Sequence, residues 1–163
     1  LNRTINLNRG FITLIKDSNY IAAAPLVRLN LDSLLRLFAS TQVEFDYETF
    51  AQKVRKGEKI SNMKDKGEGI KLKDFVLAKR LKEIKGLGWV GNVYDVGSGF
   101  VHFSENHVKS SYTVDEEIIT GGIIKGDEFI SIKEKISATH FMIQASRGIR
   151  IFIGDWIEII KKQ

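Results

Sequence analysis

The chain has 163 residues, 43% hydrophobic and 28% charged, with a formal net charge of +5, a balance that fits one globular domain able to bury its own core. It holds no cysteine, which excludes disulfides and thiolate metal sites, and a single proline, which favours helices over a loop-rich β fold. The longest apolar run, 21–37, is broken by Arg28, Asp32 and Arg36, so no membrane span is expected.

No secretory leader pattern is visible at the N-terminus, so a cytoplasmic location is expected. The chain opens on Leu1 rather than Met, which implies a preceding segment or processing. Residues 1–17 read as a helix, with Ile5, Leu7, Phe11, Ile12, Leu14 and Ile15 near helical spacing. Asp17-Ser18-Asn19 is a turn and a helix-start cluster. Residues 20–40 are apolar around most of their circumference, from Ile21 and Leu26 to Leu37 and Phe38, which predicts a central helix. Pro25 belongs to its first turn or kinks it.

On that helix Arg28, Asp32 and Arg36 stand at i, i+4 and i+8 and share one face. They form a surface ladder of ion pairs, or a partly buried network meeting polar groups on another helix, where unpaired charges would be expensive. A short helix is expected over 46–56, capped by Asp46, with Phe50, Ala51 and Val54 inward. Residues 57–69 read as an exposed basic loop anchored by Ile60 and Met63. A further helix follows over 70–85, with Leu72, Phe75, Val76, Ala78, Leu81 and Ile84 inward, ended by Gly86 and Gly88.

The charge is concentrated here. Residues 53–85 carry twelve Lys/Arg against five Asp/Glu, while the rest of the chain is net negative. This surface is the candidate contact for RNA phosphates, set against a plain solvated face.

Residues 89–110 are expected to be mostly helical. Asp95, Ser98 and His102, at i, i+3 and i+7, make a polar stripe beside Trp89, Val93, Val96 and Phe100. His107 lies roughly 140° further round. Gly97 and Gly99 each weaken the helix by about 1 kcal/mol relative to Ala, which suggests close packing or a kink. Residues 112–125 form a β-hairpin insertion, with Gly121-Gly122 as its turn. A long last helix spans 127–162, with Ser131 and Glu134 at capping-box spacing. Its seam of Ala138, Met142, Ala145, Ile149, Phe152, Trp156 and Ile160 calls for a partner helix.

The fold class expected is therefore mainly α: a bundle of about five to six helices with a small β-hairpin before the C-terminal helix. Phosphate-binding glycine loops and HExxH are absent. His102 and His107 are five apart, a poor spacing for one metal on one helix, so no metal or cofactor is expected. The candidate catalytic residues are His102, Ser98 and Asp95. His102 would be the general acid or base, oriented by Asp95 or Asp32, with Ser98 within hydrogen-bonding reach. The candidate ligand-binding residues are Arg28, Asp32, Arg36 and His107, an arginine of the central helix holding a phosphate. The same groups equally describe a buried polar network that fixes helix register. A small-molecule pocket between the second and fifth helices, lined by Asp32, Ser98 and His102, is a third reading.

The segments AAPLVRLNLDSLLRLFA (23–39) and SGFVHFSENH (98–107) resemble a group of uncharacterised bacterial helical proteins that in turn look like the HEPN class of helical domains. That resemblance implies a bundle of four or more helices and frequent dimerisation. In some members it implies metal-independent RNA cleavage in defence or toxin–antitoxin systems. The catalytic mark of the class is an Arg followed four to six residues later by His; here Ser98 holds the comparable place before His102. Two functions are expected in order: a helical domain acting through partner binding or self-association, as a homodimer through its helices, or a HEPN-like RNA-binding or ribonuclease domain.

Overall fold

Helix α2, Tyr20–Ala39, is the hub on which the other helices pack. Eleven of its twenty residues are buried, so its apolar circumference is covered on several sides. Leu31, Leu34 and Leu35 are fully enclosed, each contributing about 1.5–3 kcal/mol by leaving water. The computed structural model describes residues 1–101, 112–115, 118–122 and 126–161. Among these residues the class is mainly α, with six α-helices.

α1, Asn2–Lys16, precedes α2 and packs along it. Ser18 between them takes a positive φ of 52°, and the Asn19 side chain accepts from Ala22 N at 3.3 Å to start α2. Pro25 sits in the second turn of α2 rather than the first. Its missing N–H leaves the carbonyl of exposed Ile21 without a helical donor, which water can satisfy there.

α3 spans Tyr47–Arg55, capped by Asp46, whose carboxylate accepts from Thr49 N at 2.7 Å. α4 spans Asp74–Lys82, shorter than the sequence pattern predicts. Residues 63–72 before it turn back on themselves through 66–68, with an antiparallel bridge between Lys64 and Lys71. Leu72 is buried at the end of that turn-back, while Phe75 and Ile84, expected inward, are exposed. The segment expected as a plain exposed loop is pinned at its centre. Buried Asp65 accepts from Ile70 N at 2.8 Å, from Glu68 N at 3.1 Å and from Arg80 of α4 at 2.5 Å. Those bonds hold the Asp65 carboxyl below its usual range, the Arg80 hydrogen bond contributing most.

α5, Trp89–Val101, packs against α2 and α4. Residues 102–110, the continuation expected as helix, lie outside the described residues. Strands β1, Tyr112–Asp115, and β2, Ile118–Gly121, pair antiparallel with Tyr112 opposite Gly121 and Asp115 opposite Ile118. In that register Gly121 belongs to the second strand, not to a turn with Gly122.

α6, Ile132–Ile160, starts five residues later than expected and carries the complete capping box of Ser131 and Glu134. It runs parallel to α2: Asn30 meets Ser146, Leu34 meets Gly148 and Phe38 meets Phe152. The two N-termini therefore sit side by side. Buried Asp127, just ahead of α6, accepts from Tyr20 N at 2.7 Å and pairs with Lys135 at 3.2 Å. One carboxylate thus serves the positive ends of two helices. The seam residues Ala138, Met142, Ala145 and Ile149 are buried, and the partner they meet is α2 of the same chain.

Candidate functional site

The polar face of α2 is divided between two neighbouring helices. Arg28, only 7% exposed, forms an ion pair with Asp32 one turn on. Its guanidinium lies over the Tyr94 ring of α5, 4.4 Å from the centroid. Its Nε donates to Ser98 Oγ at 3.5 Å, and the Ser98 hydroxyl donates to the Tyr94 carbonyl at 2.6 Å. Burial pulls the Arg28 pKa down, while Tyr94 and Asp74 offset part of that shift. Arg36 reaches away from this cluster to Asp74 of α4, at 2.7 Å. The i, i+4, i+8 spacing therefore does not form one ladder along α2: the face ties α5 and α4 to it.

Gly97 makes the approach of α5 possible. A Cβ there would lie 3.0 Å from Arg28 Cβ and 3.2 Å from Arg28 Cδ. The glycine is a contact requirement, and no kink at this position is needed to explain it.

Of the candidate residues, Arg28, Asp32 and Ser98 come together. Arg36 is held elsewhere by Asp74. Asp95 is exposed on α5, and the contacts of Arg28 go to Asp32, Ser98 and Tyr94 instead. His102 and His107 lie outside the described residues. The spacing did not single out two partners: Tyr94, the aromatic face of the cluster, and Asp74, the counter-ion of Arg36 outside it. Tyr94 stands four before Ser98, a spacing that places it on the same face.

The cleft between α2, α5 and α6 is about 380 Å³ and lined mainly by apolar groups, including Val27, Val93, Phe100 and Phe141. Neither Asp32 nor Ser98 lines it, so it is not the pocket expected between the second and fifth helices. At its edge the Tyr20 hydroxyl has a pKa pushed up to about 12, chiefly by burial and then by Glu134 and Asp127.

A second, larger recess of about 560 Å³ lies between the end of α2, α3 and the last third of α6. Phe50, Val54, Phe152 and Trp156 line it, together with polar Ser40, Thr41 and Tyr47 and the two charged residues Arg55 and Asp155. Phe50 is only half-buried and Ala51 and Val54 are exposed, so the face of α3 expected inward is open. Basic residues of 53–85 are mostly exposed; Lys53 pairs with Glu58 at 3.0 Å and Arg80 with Asp65.

Among the described residues no group of three or more His, Asp or Glu is placed to hold a metal ion. Among them, too, no helix is long and apolar enough to cross a membrane. Comparison with protein-family models, with curated proteins and with solved structures returns no match.

Proposed function

We propose that this chain is a helical-bundle domain that works by association, the occupant being a second copy of itself. The observation that carries this reading is the outer surface of α6. Its seam is closed inside the chain as far as Phe152, yet beyond it Trp156, Ile157 and Ile159 are at least 40% exposed. Isolated exposed apolar residues are ordinary, but a run along one helix is the pattern of a contact surface. The Arg28 cluster then serves as a clamp: its charge is spent on Asp32 and its face on Tyr94, and both contacts hold α5 to α2. Light scattering of the full chain over a micromolar concentration series tests the reading. A dimeric mass is expected. A monomeric mass throughout, with no capture of untagged by tagged chain, rejects self-association and leaves a different protein as the partner.

The second reading, a HEPN-like RNA-binding or ribonuclease domain, is favoured by the basic surface of 53–85 and by the resemblance of 23–39 and 98–107. A phosphate bound at Arg28 would have to compete with Asp32, so the exposed lysines are the better contact for RNA. Binding of a single-stranded RNA that weakens steeply with salt supports it. Cleavage by wild type that disappears in His102→Ala would add the catalytic role; equal background cleavage and no salt-dependent binding reject this reading.

A further inference from the structure

The end of α6 projects past the helix it packs on. Phe38 is level with Phe152, and α2 stops at Ala39, while α6 continues to Ile160. The overhang is about seven residues, roughly 10 Å at 1.5 Å per residue. None of residues 150–159 is fully buried, and the last buried position is Ile149. The overhang is nonetheless apolar: Trp156 is 43% exposed and Ile159 40%. On its α3 side it forms the recess of about 560 Å³, whose opposite wall is the uncovered face of α3 with Val54 40% exposed.

The two charges of this recess identify its occupant. Arg55 lies in the last turn of α3 and Asp155 on α6, both lining the recess. Among the described residues neither makes an ion pair with the other or with any third group. An apolar centre flanked by one cation and one anion is complementary to itself. A two-fold axis through the centre places each cation opposite the other copy's anion, because in an isologous contact every pairing occurs twice. An apolar small molecule would fill the centre but leave both charges unused. Tryptophan and arginine are also among the residues most often dominant in protein interfaces. Because the end of α6 projects beyond α2, a second copy can reach it without displacing the core.

Building on the self-association reading, we propose that the recess between α3 and the projecting end of α6 is an isologous dimer interface. Trp156 of each copy enters the other copy's recess, and Arg55 of each pairs with Asp155 of the partner subunit.

The test is sedimentation and light scattering of the full chain and five variants, with circular dichroism to verify folding. Wild type is expected to dimerise, and Trp156→Ala to raise the dissociation constant by about tenfold or more. Arg55→Asp places carboxylates against carboxylates and Asp155→Arg guanidiniums against guanidiniums, so each alone is expected to weaken the dimer. Mixed in equal amounts, these two variants are expected to form a heterodimer, since one copy then supplies both anions and the other both cations. The double variant Arg55→Asp with Asp155→Arg is expected to recover homodimers for the same reason. Ile136→Glu, on the far half of α6, is expected to leave the dimer intact. A wild-type monomer overturns the self-association reading and this interface with it. A wild-type dimer that is indifferent to Trp156→Ala, is not rescued by the charge exchange, or is broken by Ile136→Glu overturns this interface while self-association stands.

Discussion

At the scale of single residues, two glycines in helices have opposite expected responses to one methyl group. Gly97 stands where a Cβ would meet Arg28 Cβ at 3.0 Å, and backbone-proximal atoms cannot swing aside. Overpacking of this kind costs about 1–3 kcal/mol, against a gain of about 1 kcal/mol in helix propensity. Gly97→Ala is therefore expected to destabilise in urea denaturation. Gly154, with nothing within 4 Å of the same position, keeps the propensity gain, so Gly154→Ala is expected to stabilise by up to about 1 kcal/mol. Tyr20 supplies a pH test. Its pKa is raised to about 12 in the folded chain, while an unfolded tyrosine titrates near 10. The stability it contributes is complete below pH ~10 and is lost as pH rises through the folded pKa. Phenolate absorbance is expected to show one late-titrating tyrosine, absent in Tyr20→Phe, and alkaline unfolding should be less steep in that variant.

At the scale of elements, the parallel arrangement of α2 and α6 brings two positive helix ends together, and Asp127 lies between them. Tyr20 N and Lys135 Nζ both contact it. Removing it leaves a buried N–H without its acceptor, a loss of about 1–3 kcal/mol. Asp127→Ala is expected to lower the unfolding free energy measured in urea by that amount. Ser131→Ala, which breaks the capping box of α6 at an exposed position, is expected to cost nearer 1 kcal/mol. The larger loss should be the one at the shared helix ends. If the two variants cost the same, Asp127 acts on α6 alone. The fully buried Asn30 adds a second tie between the same helices: its amide donates to Ser146 Oγ at 3.0 Å, and Ser146 also meets Asn8 of α1. A three-helix polar link of this kind allows one axial register and penalises its neighbours.

At the scale of the whole molecule, the basic excess is concentrated in one stretch while exposed apolar side chains are spread along the chain. The basic excess of 53–85 lies on α3, α4 and the segment between them. Exposed isoleucines lie on α1, α2 and α6, and Ile70 and Ile84 are exposed within 53–85 itself. The lysines of 53–85 are expected to give the molecule measurable affinity for a polyanion at low salt. That affinity should fall by orders of magnitude as salt rises from about 50 to 200 mM if six or more phosphates are engaged. Lys→Glu changes at exposed Lys64 and Lys71 should reduce the salt slope without moving the dimer equilibrium. A change in both would join the two surfaces into one.

Much of the helical content was legible from the residues. The apolar circumference of 20–39 announced a central helix, Asp46 and Ser131 marked two helix starts, and Ile60 and Met63 were readable as anchors. These are local signals: periodicity, caps and isolated apolar residues in polar surroundings act within one or two turns. The tertiary structure decided what no such signal contains. It closed the last-helix seam on α2 of the same chain only as far as Phe152, sent Arg36 to Asp74 instead of Asp32, pinned 63–72 through Asp65 and Arg80, and left Phe50, Ala51 and Val54 facing an open recess. A hydrophobic stripe states that it must be covered but not by what, and a charge states that it needs a partner but not which one. Those choices depend on which helices lie alongside one another, and here the parallel register of α2 and α6 made them.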